Sequence, residues 1–174
     1  MRRALGIGAM AVLLFGGVFG LIPALVASLN RSWALPRWEA FPVHILGFVL
    51  MTVGVFLYLY CAFLFMRRGR GTTSPVEPPK QLVTAGIFGY SRNPIYVGYV
   101  AFLLGEFLFF GQLLLLGYAV VVALIIQALV VRWEEPELRR RFGAEYDAYM
   151  KRVPRWIGLP RRSASGRQPA RSEP

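Results

Sequence analysis

The chain has 174 residues, 56% of them hydrophobic, and a formal net charge of +11. That apolar share is more than a soluble domain of this size carries. The charges are kept apart from the apolar runs, so the excess reads as membrane topology and attraction to anionic headgroups, with no need for nucleic acid. One cysteine, Cys61, and one histidine, His44, exclude an intramolecular disulfide and a cysteine-based metal site.

Ala4–Ser28 holds no charge over 25 residues. It is too long an apolar stretch for a signal peptide and predicts a retained first helix. Gly16 and Gly20 form a small-xxx-small pair that either allows a neighbouring helix to come close or is neutral filler in a lipid-facing helix. Leu29–Pro42, with Trp33, Trp38 and Phe41 among Arg31, Arg37 and Glu39, predicts an interfacial connector. Val43–Met66 is uncharged over 24 residues, Gln112–Val131 over 20, and Ile95–Gly111 carries one charge, Glu106, in 17. About 20 apolar residues cross a hydrocarbon core of about 30 Å. The expected fold is therefore all-α, a polytopic membrane bundle of four main transmembrane helices. Gly111 and Gln112 alone separate the last two, which predicts a tight hairpin. Four spans place both termini on one side, with 18 of the 20 Lys and Arg. By the positive-inside rule that side is cytoplasmic.

The loop before the third span opens with "RRGRGTTSPVEPP", which excludes regular helix, and continues "KQLVTAGIFGYSRNP". After the fourth span, Glu135, Leu138, Phe142, Tyr146 and Tyr149 recur at steps of three, four, four and three. That spacing predicts one amphipathic cytoplasmic helix, with Pro136 ending the transmembrane helix behind Glu134 and Glu135. Its apolar side lies on the membrane or folds back on the loop. Residues 1–158 read as one membrane domain, and 159–174 as a disordered basic tail.

Pro94, without an N–H, fits the first turn of the third span. It leaves Tyr90, Arg92 and Asn93 on non-helical backbone at the cytoplasmic face, where backbone needs partners from protein, water or ligand. The plainer reading makes Arg92 a topology charge and the tyrosines an aromatic belt. The short hairpin brings Glu134 and Glu135 near Pro94; they either meet a ligand or complement a helix dipole. Glu106 lies 12 residues past Pro94, about 18 Å along a helix and near the bilayer midplane. It is either hydrogen-bonded to a neighbouring helix or faces an acceptor cavity.

"LVTAGIFGYSRNPIYVGY" and "EEPELRRRFGAEYDAYMKRVPRW" together resemble the integral-membrane methyltransferases that include isoprenylcysteine carboxyl methyltransferase and phosphatidylethanolamine methyltransferase. The first follows G-x-Y-x-x-x-R-[HN]-P-x-Y-x-G, the second E-E-x-x-L-x-x-x-F-G-x-E-Y-x-x-Y. The resemblance runs from about Lys80 to Trp156, and its wording is similar to the bacterial branch, which implies a bacterial inner membrane. It implies S-adenosylmethionine as cofactor, a methyl group as cargo and a lipophilic acceptor, an isoprenylcysteine-like carboxylate or a phospholipid amine. It implies Gln81, Leu82, Val83, Asn93, Pro94, Ile95, Tyr96 and Glu134 as cofactor-binding residues and carries Arg92 in the same signature; with Phe88 and Tyr90 they make the candidate cofactor-binding set, and Arg92 and Glu135 are the candidate catalytic residues. Glu135 is the candidate base for an amine acceptor. No metal and no nucleic acid are implied. Lys80 stands where relatives often carry His, Phe88 where the pattern has Tyr, and Val130 where prenylcysteine enzymes place an Arg. The last departure weighs against prenylcysteine itself. Two other readings remain at this level: an NADPH-dependent membrane reductase similar to sterol reductases, and a non-catalytic membrane scaffold.

Overall fold

The structure is a computed structural model that describes residues 16–69 and 80–159. Most of the first expected span, residues 4–15, lies outside the described residues, as do the start of the basic loop and the tail from 160 onward. Among the described residues the chain is all-helical, with a single isolated bridge between Arg37 and Gln112.

Six α-helices follow one another. A π-turn, Gly17–Leu21, leads into α1, Ile22–Ser32. The connector after it places Trp33 in the open, and its Trp38 N–H donates to the Gly111 carbonyl at 3.1 Å. Helix α2, Phe41–Leu64, starts with Pro42 in its first turn and runs on through a π-turn, Phe65–Gly69. A 3-10 turn, Gly86–Gly89, precedes α3, Pro94–Phe110. Gly111, at φ 66°, takes the left-handed conformation that closes α3 and turns the chain into α4, Leu113–Leu129. A π-turn, Val130–Glu134, joins α4 to α5, Glu135–Phe142, and α6 spans Ala144–Arg152.

Among the described residues, two continuous helical stretches are long and apolar enough to cross a membrane, Phe41–Gly69 with 29 residues and Leu113–Phe142 with 30, the latter uncharged only as far as Val131. Helix α3 is also apolar but has 17 residues, about 26 Å at 1.5 Å per residue.

The closest helix pair is α2 against α3, and glycine makes it close. A Cβ on Gly47 would lie 2.5 Å from the Phe109 backbone nitrogen, and one on Gly54 2.6 Å from the Gly98 carbonyl oxygen. Across the contact, a Cβ on Gly105 would lie 2.7 Å from the Met51 nitrogen. Each helix thus presents two glycines seven positions apart, and the backbones touch directly, as small residues permit between apolar helices. Among the described residues this seam, and not the pair Gly16 and Gly20, does the close packing: a Cβ on either of those meets none of the described residues within 4 Å.

Two further expectations are corrected. The amphipathic stretch is not one helix, because Gly143, at φ 51° and ψ −127°, breaks it between α5 and α6. Nor does Pro136 end the helix before it. The π-turn gives the Glu135 N–H to the Val130 carbonyl, five residues back, and Pro136 enters at the first turn of α5, where its missing donor is tolerated. Glu106 is buried, its Oε2 has no partner among the described residues, and it lines neither of the described cavities.

Candidate functional site

Three segments meet at the end of the bundle where α3 begins and α4 ends. The loop Gln81–Ser91 packs on α2 through a core of Cys61, Leu64, Val83 and Phe88, with the Phe65 and Phe88 rings 5.2 Å apart. The second segment is the start of α3. The third is the pair α5 and α6, folded back on the loop. Tyr146, Tyr149 and Val153 pack there with Leu82, Leu138 and Phe142, and the Tyr149 hydroxyl donates to the Phe88 carbonyl at 2.7 Å. Of the two placements open for the amphipathic stretch, the structure takes the fold onto the loop.

These segments enclose a cavity of about 580 Å³, within the range of small-molecule sites. The loop contributes Gln81, Leu82, Val83 and Phe88, and the entry to α3 contributes Arg92, Asn93, Pro94, Ile95 and Tyr96. Glu134 stands on the same wall system, so the two polar clusters anticipated on either side of the hairpin share one cavity. Tyr90 and Glu135 do not line it. Tyr90 is half exposed, and its carbonyl accepts from the Gly158 N–H at 3.1 Å.

The two glutamates, adjacent in sequence, have opposite surroundings. Glu134 accepts a hydrogen bond from the Tyr96 hydroxyl. Burial pushes its carboxyl above the usual carboxylate range, the Tyr96 bond offsets part of that rise, and the Glu135 charge adds to it. Glu135 is buried behind the cavity wall and paired twice. Its Oε1 receives Arg92 Nη1 at 2.8 Å and Arg155 Nε at 2.7 Å, and its Oε2 receives Arg155 Nη2 at 2.9 Å. Burial alone would raise Glu135, but Arg155 and Arg92 outweigh it and hold the carboxyl below the usual range. A carboxylate so committed is a poor proton acceptor, and it stands away from the cavity, which corrects the base role expected for it. Arg92 itself is almost buried, with side-chain exposure of 9%, and its Nη1 also reaches the Tyr146 hydroxyl at 3.4 Å. Its Nε is buried without a partner among the described residues.

The segment after α6 ties this arrangement together. The Arg92 N–H donates to the Pro154 carbonyl at 3.0 Å, and Asn93 Nδ2 donates to the Arg155 carbonyl at 3.1 Å. Ser91 Oγ accepts from the Asn93 N–H at 3.1 Å. The non-helical backbone before Pro94 is therefore satisfied by the strap Val153–Gly158, and the Arg92 and Asn93 side chains are held at the wall.

Sequence reasoning missed four kinds of residue here. Tyr146 and Tyr149 line the cavity but were read only as the apolar face of a helix. Glu137 and Arg141 line it from α5. Tyr99 lines it one turn into α3 beyond Tyr96. Arg155 was not singled out, although the "VPRW" ending that carries it was quoted as part of the motif.

A family model for phospholipid methyltransferases matches residues 42–145, more than half of the chain, and the chain belongs to that family of membrane methyltransferases. No curated protein and no solved structure matches it. The match takes in α2, the hairpin, Arg92 and both glutamates, and ends in α6 before the strap.

Proposed function

We propose that this member of the phospholipid methyltransferase family is an S-adenosylmethionine-dependent enzyme that methylates a lipophilic acceptor at the cytoplasmic face of a membrane. The observation that carries the reading is the single cavity that joins Arg92, Asn93 and Tyr96 at the start of α3 to Glu134 beyond α4. Its donor set suits the cofactor. Arg92 offers a guanidinium to the amino-acid carboxylate, and Glu134 accepts from ribose hydroxyls or the amine. The rings of Phe88, Tyr96, Tyr99 and Tyr146 offer faces to the adenine and the sulfonium.

When bound, the cofactor supplies a methyl carbon activated by its sulfonium. The protein's part is to align that carbon and exclude water. Val83, Phe88 and Tyr149, all buried, close the loop side of the cavity against solvent. Asn93, fixed through its side chain to the strap, and Pro94, with its preset backbone, keep the entry to α3 rigid. A carboxylate acceptor needs no base. An amine acceptor that reaches the cavity meets Glu134, whose raised carboxyl can hold its proton.

The topology we propose with this reading has four spans, with α2, α3 and α4 as the last three and both termini cytoplasmic, in a bacterial inner membrane. The apolar helices and the segregated charge support it.

Titration of the detergent-purified protein with S-adenosylmethionine and, separately, NADPH tests the cofactor. Saturable binding of the first and none of the second is expected. Glu134→Gln should weaken that binding about tenfold, the loss of one charged hydrogen-bond partner. Equal affinity in parent and variant would remove Glu134 from the site. Glu134→Gln is a cleaner probe than Arg92→Ala, which also removes one of the two guanidinium groups that hold the buried Glu135 carboxylate. Methyl-labelled cofactor added to native lipid extracts then reports the acceptor.

A further inference from the structure

The cavity wall contains a guanidinium, Arg92, whose obvious partner is the Glu135 carboxylate behind it. Arg92 Nη1 meets Glu135 Oε1 at 2.8 Å, and both side chains are about nine-tenths buried. Arginine and carboxylate in such a setting prefer the two-bond fork, in which both oxygens are used. Here Arg92 does not get the fork. Arg155 does, through Nε to Oε1 at 2.7 Å and Nη2 to Oε2 at 2.9 Å. Toward Glu135, Arg92 keeps a single bond to a shared oxygen; beside it is only the long 3.4 Å contact of Nη1 with the Tyr146 hydroxyl, and its buried Nε has no partner among the described residues. Two guanidinium groups over one carboxylate leave the cluster with surplus positive charge beside the cavity.

We propose that Arg155 is a positioning residue that, by occupying both oxygens of Glu135, keeps that carboxylate from closing on Arg92 and so reserves Arg92 for a carboxylate group of the cavity's ligand. The inference rests on the reading that the cavity takes S-adenosylmethionine, whose amino-acid end carries that carboxylate. Arg155 lies beyond the range matched by the family model. Its assignment comes from contacts across 20 residues to Glu135 and across 62 to Asn93.

Side chain and backbone can be separated at this position. The bonds that hold Arg92 and Asn93 to the strap go to the carbonyls of Pro154 and Arg155, which Arg155→Ala retains. Without its guanidinium, Glu135 is free to take Arg92 by both oxygens. Affinity for a ligand carboxylate should then fall, while affinity for the adenine and ribose end should not.

The experiment is calorimetric titration of the full chain in detergent with two ligands, S-adenosylmethionine and 5′-methylthioadenosine, which lacks the amino-acid end. The expected result for Arg155→Ala is a loss of about tenfold for the first and less than about twofold for the second. Arg155→Lys should recover part of the loss, since an ammonium still occupies Glu135. Adding Glu135→Gln to Arg155→Ala should recover more, because the competing carboxylate is gone. Equal losses for the two ligands would overturn the proposal and leave Arg155 as a structural tie. So would an unchanged affinity for S-adenosylmethionine in Arg155→Ala, or a double variant that binds no better than Arg155→Ala. If the parent protein binds neither ligand, the cofactor reading falls and this inference with it.

Discussion

Replacing Gly54 by Ala tests whether the glycine seam sets the distance between α2 and α3. The added methyl would sit 2.6 Å from the Gly98 carbonyl oxygen and 3.0 Å from the Phe102 backbone nitrogen, where ordinary contact begins at 3.4 Å. Relief requires the helices to part by about 0.8 Å, because the obstructing atoms are backbone and no rotamer change moves them. Overpacking of this kind costs about 2–3 kcal/mol, toward the upper end of its usual range. The gain in helix propensity of Ala over Gly returns up to about 1 kcal/mol. The net loss of about 1–2 kcal/mol lowers the Tm by about 2–8 °C for a chain of this size. Gly117→Ala is the control, since a Cβ there meets nothing within 4 Å. It receives the propensity gain alone and should melt at the parent temperature or a few degrees above it. Thermal unfolding in one detergent, followed by helical circular dichroism, compares the three proteins. Cofactor affinity should drop in Gly54→Ala as well, since α3 carries Pro94 and Tyr96 into the cavity wall. If Gly54→Ala melts as high as Gly117→Ala, the helices do not depend on backbone contact at this seam.

Tyr149→Phe removes the 2.7 Å donation to the Phe88 carbonyl and leaves that acceptor buried. The expected cost is about 1–2 kcal/mol, seen as a fall of about 2–8 °C in Tm. Acid should act on Glu135 in a defined window. Its carboxyl is held below the usual range, so the stability it contributes is complete above the ordinary carboxylate pKa and drains away as pH falls through the lowered value. The Tm difference between parent and Glu135→Gln should therefore stay constant from pH 8 down to about 5 and shrink only below about pH 4. A difference that shrinks already near neutral pH would contradict the two arginine contacts.

Much of the site could be read in the sequence because it rests on short-range constraints. Gly111 and Gln112 leave room only for a hairpin, and the hairpin alone brings Arg92 and Glu134 to one end of the molecule. Pro94 fixes where α3 starts, and the stripe from Leu138 to Tyr149 marks the face that covers the loop. What could not be read depends on contacts between distant segments. Gly47, Gly54, Gly98 and Gly105 sit in helices apolar on every side, where periodicity of apolar residues has nothing to contrast with. The stripe ran unbroken across Gly143 because counting side chains ignores a backbone at positive φ. Glu135 looked as available as Glu134 because nothing local announces that Arg155, 20 residues on, returns to hold it.

The π-turn at Val130–Glu134 has a consequence for how two neighbouring glutamates come to serve different masters. Such a turn accommodates one residue more than the α-helix it interrupts. One α-helical residue corresponds to a rotation of about 100° and a rise of 1.5 Å. Straightened with every residue kept, the helix would bring Glu134 round to the place that meets Arg155, and Trp133, now beside it on the cavity wall, would take the place Glu134 holds. The surplus residue thus sets the gearing between α4 and α5. A chain one residue shorter inside this turn keeps the same meshing, whereas the same deletion inside α4 turns both carboxylates away from their partners.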